Sequence, residues 1–207
     1  MIECRSYQLH PGKLFPYLSL FERDGVLECL KKHMRGYWVA ESGVVNSVWH
    51  LWDYSDRATR AEVRAGMATD PVMANFLQDA LPLIQQQSSH FLSGDIASPE
   101  ACTSGGIFDR FDLDIFFNAQ SDSQSLLNAL QTRLKDHAQV VAALRGSHME
   151  SGHRPTRATF VLRFASFSDR DACAAAIETV LGDAIDEGWI GSVNTQLMLP
   201  VKFSPWQ

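Results

Sequence analysis

The sequence predicts an α+β fold made of two tandem βαββαβ units, and three observations carry that prediction. Over the first 90 or so residues the apolar pattern switches between alternation and helical spacing in the order strand, helix, strand, strand, helix, strand. A segment rich in small residues, Gly and Pro follows at 94–106, after which the same order can be read again. Short motifs also recur, in order, between the two halves.

Residues 2 to 9 alternate, with Glu3, Arg5 and Tyr7 on one parity and Ile2, Cys4 and Ser6 on the other, as a strand requires, and Pro11-Gly12 ends it. From Lys13 to about His33, Leu14, Leu18, Phe21, Leu27 and Leu30 recur at helical spacing, with Gly25 as a kink or break and Gly36 as a helix stop. Tyr37 to Glu41 and Ser47 to Tyr54 are aromatic and β-branched runs joined through Ser42-Gly43, a hairpin. Ser55 caps the next helix, and Asp70-Pro71 starts a second helical piece, because an N-cap carboxylate and a proline at the first helical position both suit a helix start. Leu83 to Leu92 completes the unit. This order is the split βαβ, or ferredoxin-like, plan.

The domain plan is therefore a first unit at 1–93, a linker at 94–106 and a second unit at 107–207. The second unit opens with a strand at Phe108 to Phe117 and a helix from about Asp122 carrying Leu126, Leu127, Leu130, Leu134 and Val141. A hairpin whose second strand is Thr159 to Phe167 follows. A helix from Ser168 to about Ile185 and a strand from Trp189 to Leu199 close the unit. Arg35-Gly36, Glu41-Ser42-Gly43 and Tyr54-Ser55-Asp56-Arg57 return as Arg145-Gly146, Glu150-Ser151-Gly152 and Phe167-Ser168-Asp169-Arg170, at offsets of 110, 109 and 113. Trp206, in the C-terminal tail, is expected to dock against its own chain or a neighbouring subunit.

The 207 residues, 45% hydrophobic and 20% charged, suffice to bury real cores. A net charge of −6 with no clustering of Lys and Arg argues against a nucleic-acid partner. No signal-like N-terminus and no uncharged apolar run of bilayer length is present, so a cytoplasmic protein without a membrane span is expected. Cys4, Cys29, Cys102 and Cys173 are scattered and read as reduced thiols. Nucleotide-binding glycine loops, nucleophile elbows and paired-histidine ligand spacings are all lacking, so neither a cofactor nor a metal is expected.

The first unit resembles the NIPSNAP family through Glu3-x-Arg5-x-Tyr7, Pro11-Gly12-Lys13-Leu14, Gly36, Glu41-Ser42-Gly43, Asn46, His50-Leu51-Trp52-x-Tyr54, Arg57, Arg60 and Asp70-Pro71. The resemblance implies a ferredoxin-like domain of the dimeric α/β-barrel type, in which two four-stranded sheets face one another. It implies no particular reaction. The second half departs from the pattern, with Arg163 in place of His50, Ala165 of Trp52 and Phe167 of Tyr54.

The candidate ligand-facing set is Arg5, Tyr7, Glu41, Asn46, His50, Trp52 and Tyr54, expected on the sheet face turned toward the partner sheet. Arg5 suits an anion, Trp52 a stacked ring, and His50 a proton transfer near neutral pH, which makes His50 the candidate catalytic residue. The alternative is that these groups satisfy one another, since buried Arg, Glu and His must be hydrogen-bonded. The three cations Arg57, Arg60 and Arg64 read as a solvated helix face. Two functions follow. The first is a binding or interaction protein, homo-oligomeric, whose paired sheets hold a small molecule. The second is a cofactor-free enzyme of the monooxygenase or isomerase type using His50 and Arg5. A sheet surface packed solid around His50 would remove the second reading.

Overall fold

The computed structural model describes residues 1–102, 105–115, 123–146 and 157–207, excepting the side chains of residues 99, 123–127 and 130. The motif at 150–152, the end of the expected strand at 116–117 and the leucines at 126, 127 and 130 lie outside what is described.

The first half runs β1 (Ile2–Leu9), α1 (Leu14–Ser19), α2 (Val26–Lys31), β2 (Met34–Ala40), β3 (Ser47–Asp53), α3 (Arg57–Thr69), α4 (Pro71–Ala80) and β4 (Ile84–Ile96). The second runs β5 (Ile107–Ile115), α5 (Ser123–Lys135), β6 (Gln139–Arg145), β7 (Arg157–Phe164), α6 (Phe167–Asp186) and β8 (Ile190–Pro200). The helix expected over 13–33 is two short pieces separated at Gly25, and Asp70 caps α4 by accepting from the N–H groups of Val72 and Met73, with Pro71 at the first turn.

Four local expectations are corrected. Asp56, not Ser55, caps α3 by accepting from the Thr59 N–H, as Ser166 caps α6 by accepting from the Asp169 N–H. Val141 is a buried strand residue of β6, not part of a helix. Gly36 does not stop a helix: it lies inside β2, beside a break in register with β3, where a Cβ would come within 2.0 Å of the Trp38 ring. Residues 94–96, expected to begin the linker, continue β4, and Gly94 sits at φ 145° where a Cβ would strike the Ala143 carbonyl at 2.2 Å. Only glycine lets β4 and β6 approach so closely there.

All eight strands pair antiparallel in one closed barrel, in the order β1-β3-β2-β8-β5-β7-β6-β4. Two four-stranded sheets, β4-β1-β3-β2 and β6-β7-β5-β8, meet along two short seams, Trp38–Ala40 with Met198–Pro200 and Ser93–Ile96 with Ala142–Arg145. The barrel thus closes within one chain, so closure itself calls for no second copy.

Apolar burial divides into three regions. One lies between the first sheet and α1–α4, one between the second sheet and the helices of the second half, and one inside the barrel. The interior region contains Ile2, Cys4, Trp49 and Leu51, whereas Val48, Trp52 and Tyr54 pack with Tyr17, Phe21 and Phe76 of the helical layer. The candidate face therefore looks toward the helices, not toward the partner sheet. Trp206 is fully buried in the interior region, its ring 5.8 Å from that of Trp38, and the Gln207 N–H bonds the Cys102 carbonyl at 2.7 Å.

Candidate functional site

Glu3 projects from β1 into the layer between sheet and helices, and its side chain is wholly buried. Arg60, one turn into α3, donates Nε to Oε2 at 2.9 Å and Nη2 to Oε1 at 2.7 Å. Arg64, one turn further, adds Nη2 at 3.2 Å, Arg5 adds Nη1 at 3.4 Å, and the Ser89 hydroxyl donates at 2.9 Å. Burial alone would push the Glu3 carboxyl up, but the Arg60 bonds and the charges of Arg64 and Arg5 overcome it and hold the group at about 2. Sequence spacing made Arg57, Arg60 and Arg64 a solvated face; in the fold, Arg60 and Arg64 turn inward to Glu3, while Arg57 lies over the Phe91 ring at 5.0 Å. The available signal was Glu3 itself, an acid on the same strand parity as Arg5, opposite a helix with three arginines.

His50 lies beside this cluster, 2% exposed. Its ring stacks on Tyr37 at 4.5 Å and 5°, and meets the edges of Tyr7 at 4.8 Å and Trp52 at 5.5 Å. Its Nδ1 accepts from Trp52 Nε1, and its Nε2 has no partner among the described residues. With Nδ1 an acceptor, the neutral ring carries its proton on Nε2. Burial first, then the nearby charges of Arg5 and Arg64, lowers the His50 pKa well below its ordinary value, so the imidazole stays neutral.

Of the candidate residues, Arg5, Tyr7, His50 and Trp52 stand together, tied by the cation contact of Arg5 over Tyr7 at 5.2 Å and of Arg64 over Trp52 at 5.6 Å. Tyr54 is buried at the edge of this group and stacks on His33 at 4.9 Å. Glu41 and Asn46 are not part of it. Glu41 is exposed at the β2 end, its N–H bonding Leu197 O, and Asn46 adopts a left-handed conformation at φ 58°, its amide bonding the carbonyls of Leu9 and His10. Asn46 serves the turn, and Glu41 stands apart from the cluster, at the edge of the groove described below.

The second half offers a matching but reduced arrangement. Asp109 of β5 accepts from Arg170 Nε at 2.8 Å, as Glu3 does from Arg60, and both arginines stand four residues after their N-caps. Glu3 pairs across the sheet with Trp52, and Asp109 with Leu162; Arg5 pairs with His50, and Phe111 with Phe160. By position, then, the counterparts of His50, Trp52 and Tyr54 are Phe160, Leu162 and Phe164, not Arg163, Ala165 and Phe167. The second half has only apolar groups there.

An open groove of about 960 Å³ lies between α1–α2 and the seam of β2 with β8. Leu14, Leu18, Leu27, Val39, Leu199 and Phe203 line it; Glu22, Glu41, Lys31 and Lys202 stand among them, and Phe15 is 80% exposed. His50 is not among its lining residues. Sequence reading did not find this groove, because its two walls come from the opposite ends of the chain.

The NIPSNAP sequence profile matches residues 2–99. Protein NipSnap homolog 3A of Homo sapiens is 39% identical over 89 residues, 42% of this chain and 36% of that protein. The chain thus spans about a third of the length of the curated relatives it matches. An uncharacterized NIPSNAP domain protein of Burkholderia xenovorans is 32% identical over 47% of this chain and 97% of its own, with a TM-score of 0.42. Over nearly the whole length, a proposed monooxygenase from Lactobacillus acidophilus NCFM superposes with a TM-score of 0.66, covering 96% of this chain and 92% of its own at 7% identity. That last likeness concerns the fold alone. No helix among the described residues is long and apolar enough to cross a membrane.

Proposed function

The chain belongs to the NIPSNAP family, and from that premise we propose that it is a binding protein without chemistry of its own, whose paired sheets hold an apolar or aromatic small molecule at one of their seams. The observation that carries this reading is the apolar groove of about 960 Å³ along the β2–β8 seam, at the upper end of the size range of ligand sites and lined as they are. We read the chain as two tandem ferredoxin-like units, 1–93 and 107–207, with 94–106 between them. Support comes from the common strand order of the two sheets, and from the N-caps Asp56 and Ser166, which stand 110 positions apart, in line with the offsets of the other two shared motifs.

Arg5, Tyr7, His50, Trp52 and Tyr54 are absent from the groove's lining, and beside them Glu3 fastens β1 to α3 through Arg60 and Arg64. The enzyme alternative needs His50 to meet a substrate, yet that ring is enclosed by Tyr7, Tyr37 and Trp52. The test is fluorescence titration with anilinonaphthalene sulfonate as the apolar probe. The native chain is expected to bind it saturably while folded, and Leu27→Arg, which places a charge in the groove, to lose that binding with its melting temperature retained. Equal binding by both chains removes the groove reading. Oxygen consumption on reduced aromatic substrates that is abolished in His50→Gln would favour the enzyme instead.

A further inference from the structure

The barrel interior changes character along its axis. One end is filled by Trp38, Leu51, Phe108, Met198 and Trp206. Toward the other, an open cavity of about 190 Å³ at the barrel mouth is lined mainly by polar side chains, among them Ser6, Gln8, Ser88, Gln196 and one cation, Arg110, with Val44 and Val48 beside them. Among the described residues no carboxylate lines it.

Arg110 projects inward from β5, its guanidinium over the Trp49 ring at 5.1 Å and its side chain 15% exposed. Its Nε lies 3.1 Å from Asp112 Oδ2. That oxygen is already held by Arg157 Nη2 at 2.7 Å, and Oδ1 accepts from the Thr159 hydroxyl at 2.7 Å. Asp112 therefore has little left to offer. Asp114, next inward on β5, accepts from Ser192 at 2.8 Å and makes no ion pair with Arg110. The two outer nitrogens of Arg110, with four N–H donors, have no protein partner among the described residues. Its Nε is the enclosed nitrogen, facing Asp112 without a hydrogen bond, whereas the outer pair is not sealed from solvent and can donate to a group that enters the cavity.

We propose that this chamber is a binding site for a compact oxyanion, a phosphate or carboxylate carried on a small molecule. Arg110 supplies the charge and a planar pair of donors suited to two oxygens of one group. The hydroxyls of Ser6 and Ser88 and the amides of Gln8 and Gln196 donate to the remaining oxygens without adding negative charge, while the Ser47 hydroxyl is already given to the Val44 carbonyl. The volume admits a ligand of a few heavy atoms beyond the anionic group. The site lies inside the barrel, apart from the groove at the β2–β8 seam, so either reading can fail without the other.

Isothermal titration calorimetry of the full chain with inorganic phosphate, and separately with malonate, tests it, with potassium chloride at matched ionic strength as the control. Saturable binding of one or both anions is expected, and the one preferred names the ligand class. Arg110→Gln should weaken binding about tenfold or more. Ser88→Leu, which keeps Arg110 but fills the chamber, should weaken it comparably with little change in melting temperature, and it serves if Arg110→Gln does not fold. Absence of binding by either anion, an effect reproduced by the chloride control, or full affinity in Ser88→Leu overturns the proposal.

Discussion

Arg60 clamps Glu3 with two nitrogens at once, at 2.9 and 2.7 Å, joining residues 57 positions apart and fastening α3 to the first strand of the barrel. The carboxylate has no exposure, and Arg60 and Arg64 are about three-quarters covered. Breaking it would leave the buried carboxylate to Arg64, Arg5 and the Ser89 hydroxyl alone.

Arg60→Met is accordingly expected to destabilise the fold by about 1.5–3 kcal/mol in urea denaturation, the range for losing hydrogen bonds to a charged group whose other partners remain. Arg57→Met removes only a surface cation lying over Phe91 and should cost about 1 kcal/mol or less. Equal losses in the two variants would mean that the Glu3 contact carries no special weight.

Acid should expose the same contact. Glu3 titrates at about 2 in the fold against an ordinary 4.5. A depressed carboxyl contributes stability that is complete above the unfolded value and disappears as pH falls through the folded one. The stability advantage of the native chain over Glu3→Gln should thus be constant above about pH 5 and shrink progressively between about pH 4.5 and pH 2. A difference that does not vary with pH in that window would show that the group is not held down as described.

Two glycines should respond oppositely to alanine. At Gly36 the added carbon meets the Trp38 ring at 2.0 Å, in a strand with no room to yield, and a loss of about 1–3 kcal/mol is expected. At Gly66, inside α3, nothing lies within 4 Å, and alanine should stabilise by about 0.5–1 kcal/mol. Thermal denaturation of the two variants checks both signs.

The tail should behave as part of the barrel. Trp206→Ala empties a fully buried site against Trp38 and is expected to cost about 3–5 kcal/mol, comparable to a central core truncation. A loss below about 1 kcal/mol would mean that the end of the chain is only loosely seated.

The positions of strands and helices were legible because each depends on neighbours in sequence: alternation in β1, the Asp70-Pro71 start of α4, the break at Gly25. The cap of α3 was misplaced by one residue, because Ser and Asp compete for the role and only the hydrogen bond from Thr59 decides it. Aligning Tyr54-Ser55-Asp56-Arg57 with Phe167-Ser168-Asp169-Arg170 at an offset of 113, where the two N-caps stand 110 apart, moved the counterpart of His50 from Phe160 to Arg163.

By itself, the sequence determined the family, the order of the elements and the sorting of β1 and β3 side chains into two sets, since a period of two leaves no other choice. Which set faces the helices was decided by tertiary structure alone. Nearly all of β3 is buried on both faces, so hydrophobicity gives no bias between them. The closure of both sheets into a single-chain barrel, the inward turn of Arg60, and the chamber around Arg110 likewise arise from residues far apart along the chain, whose mutual distances no local pattern encodes.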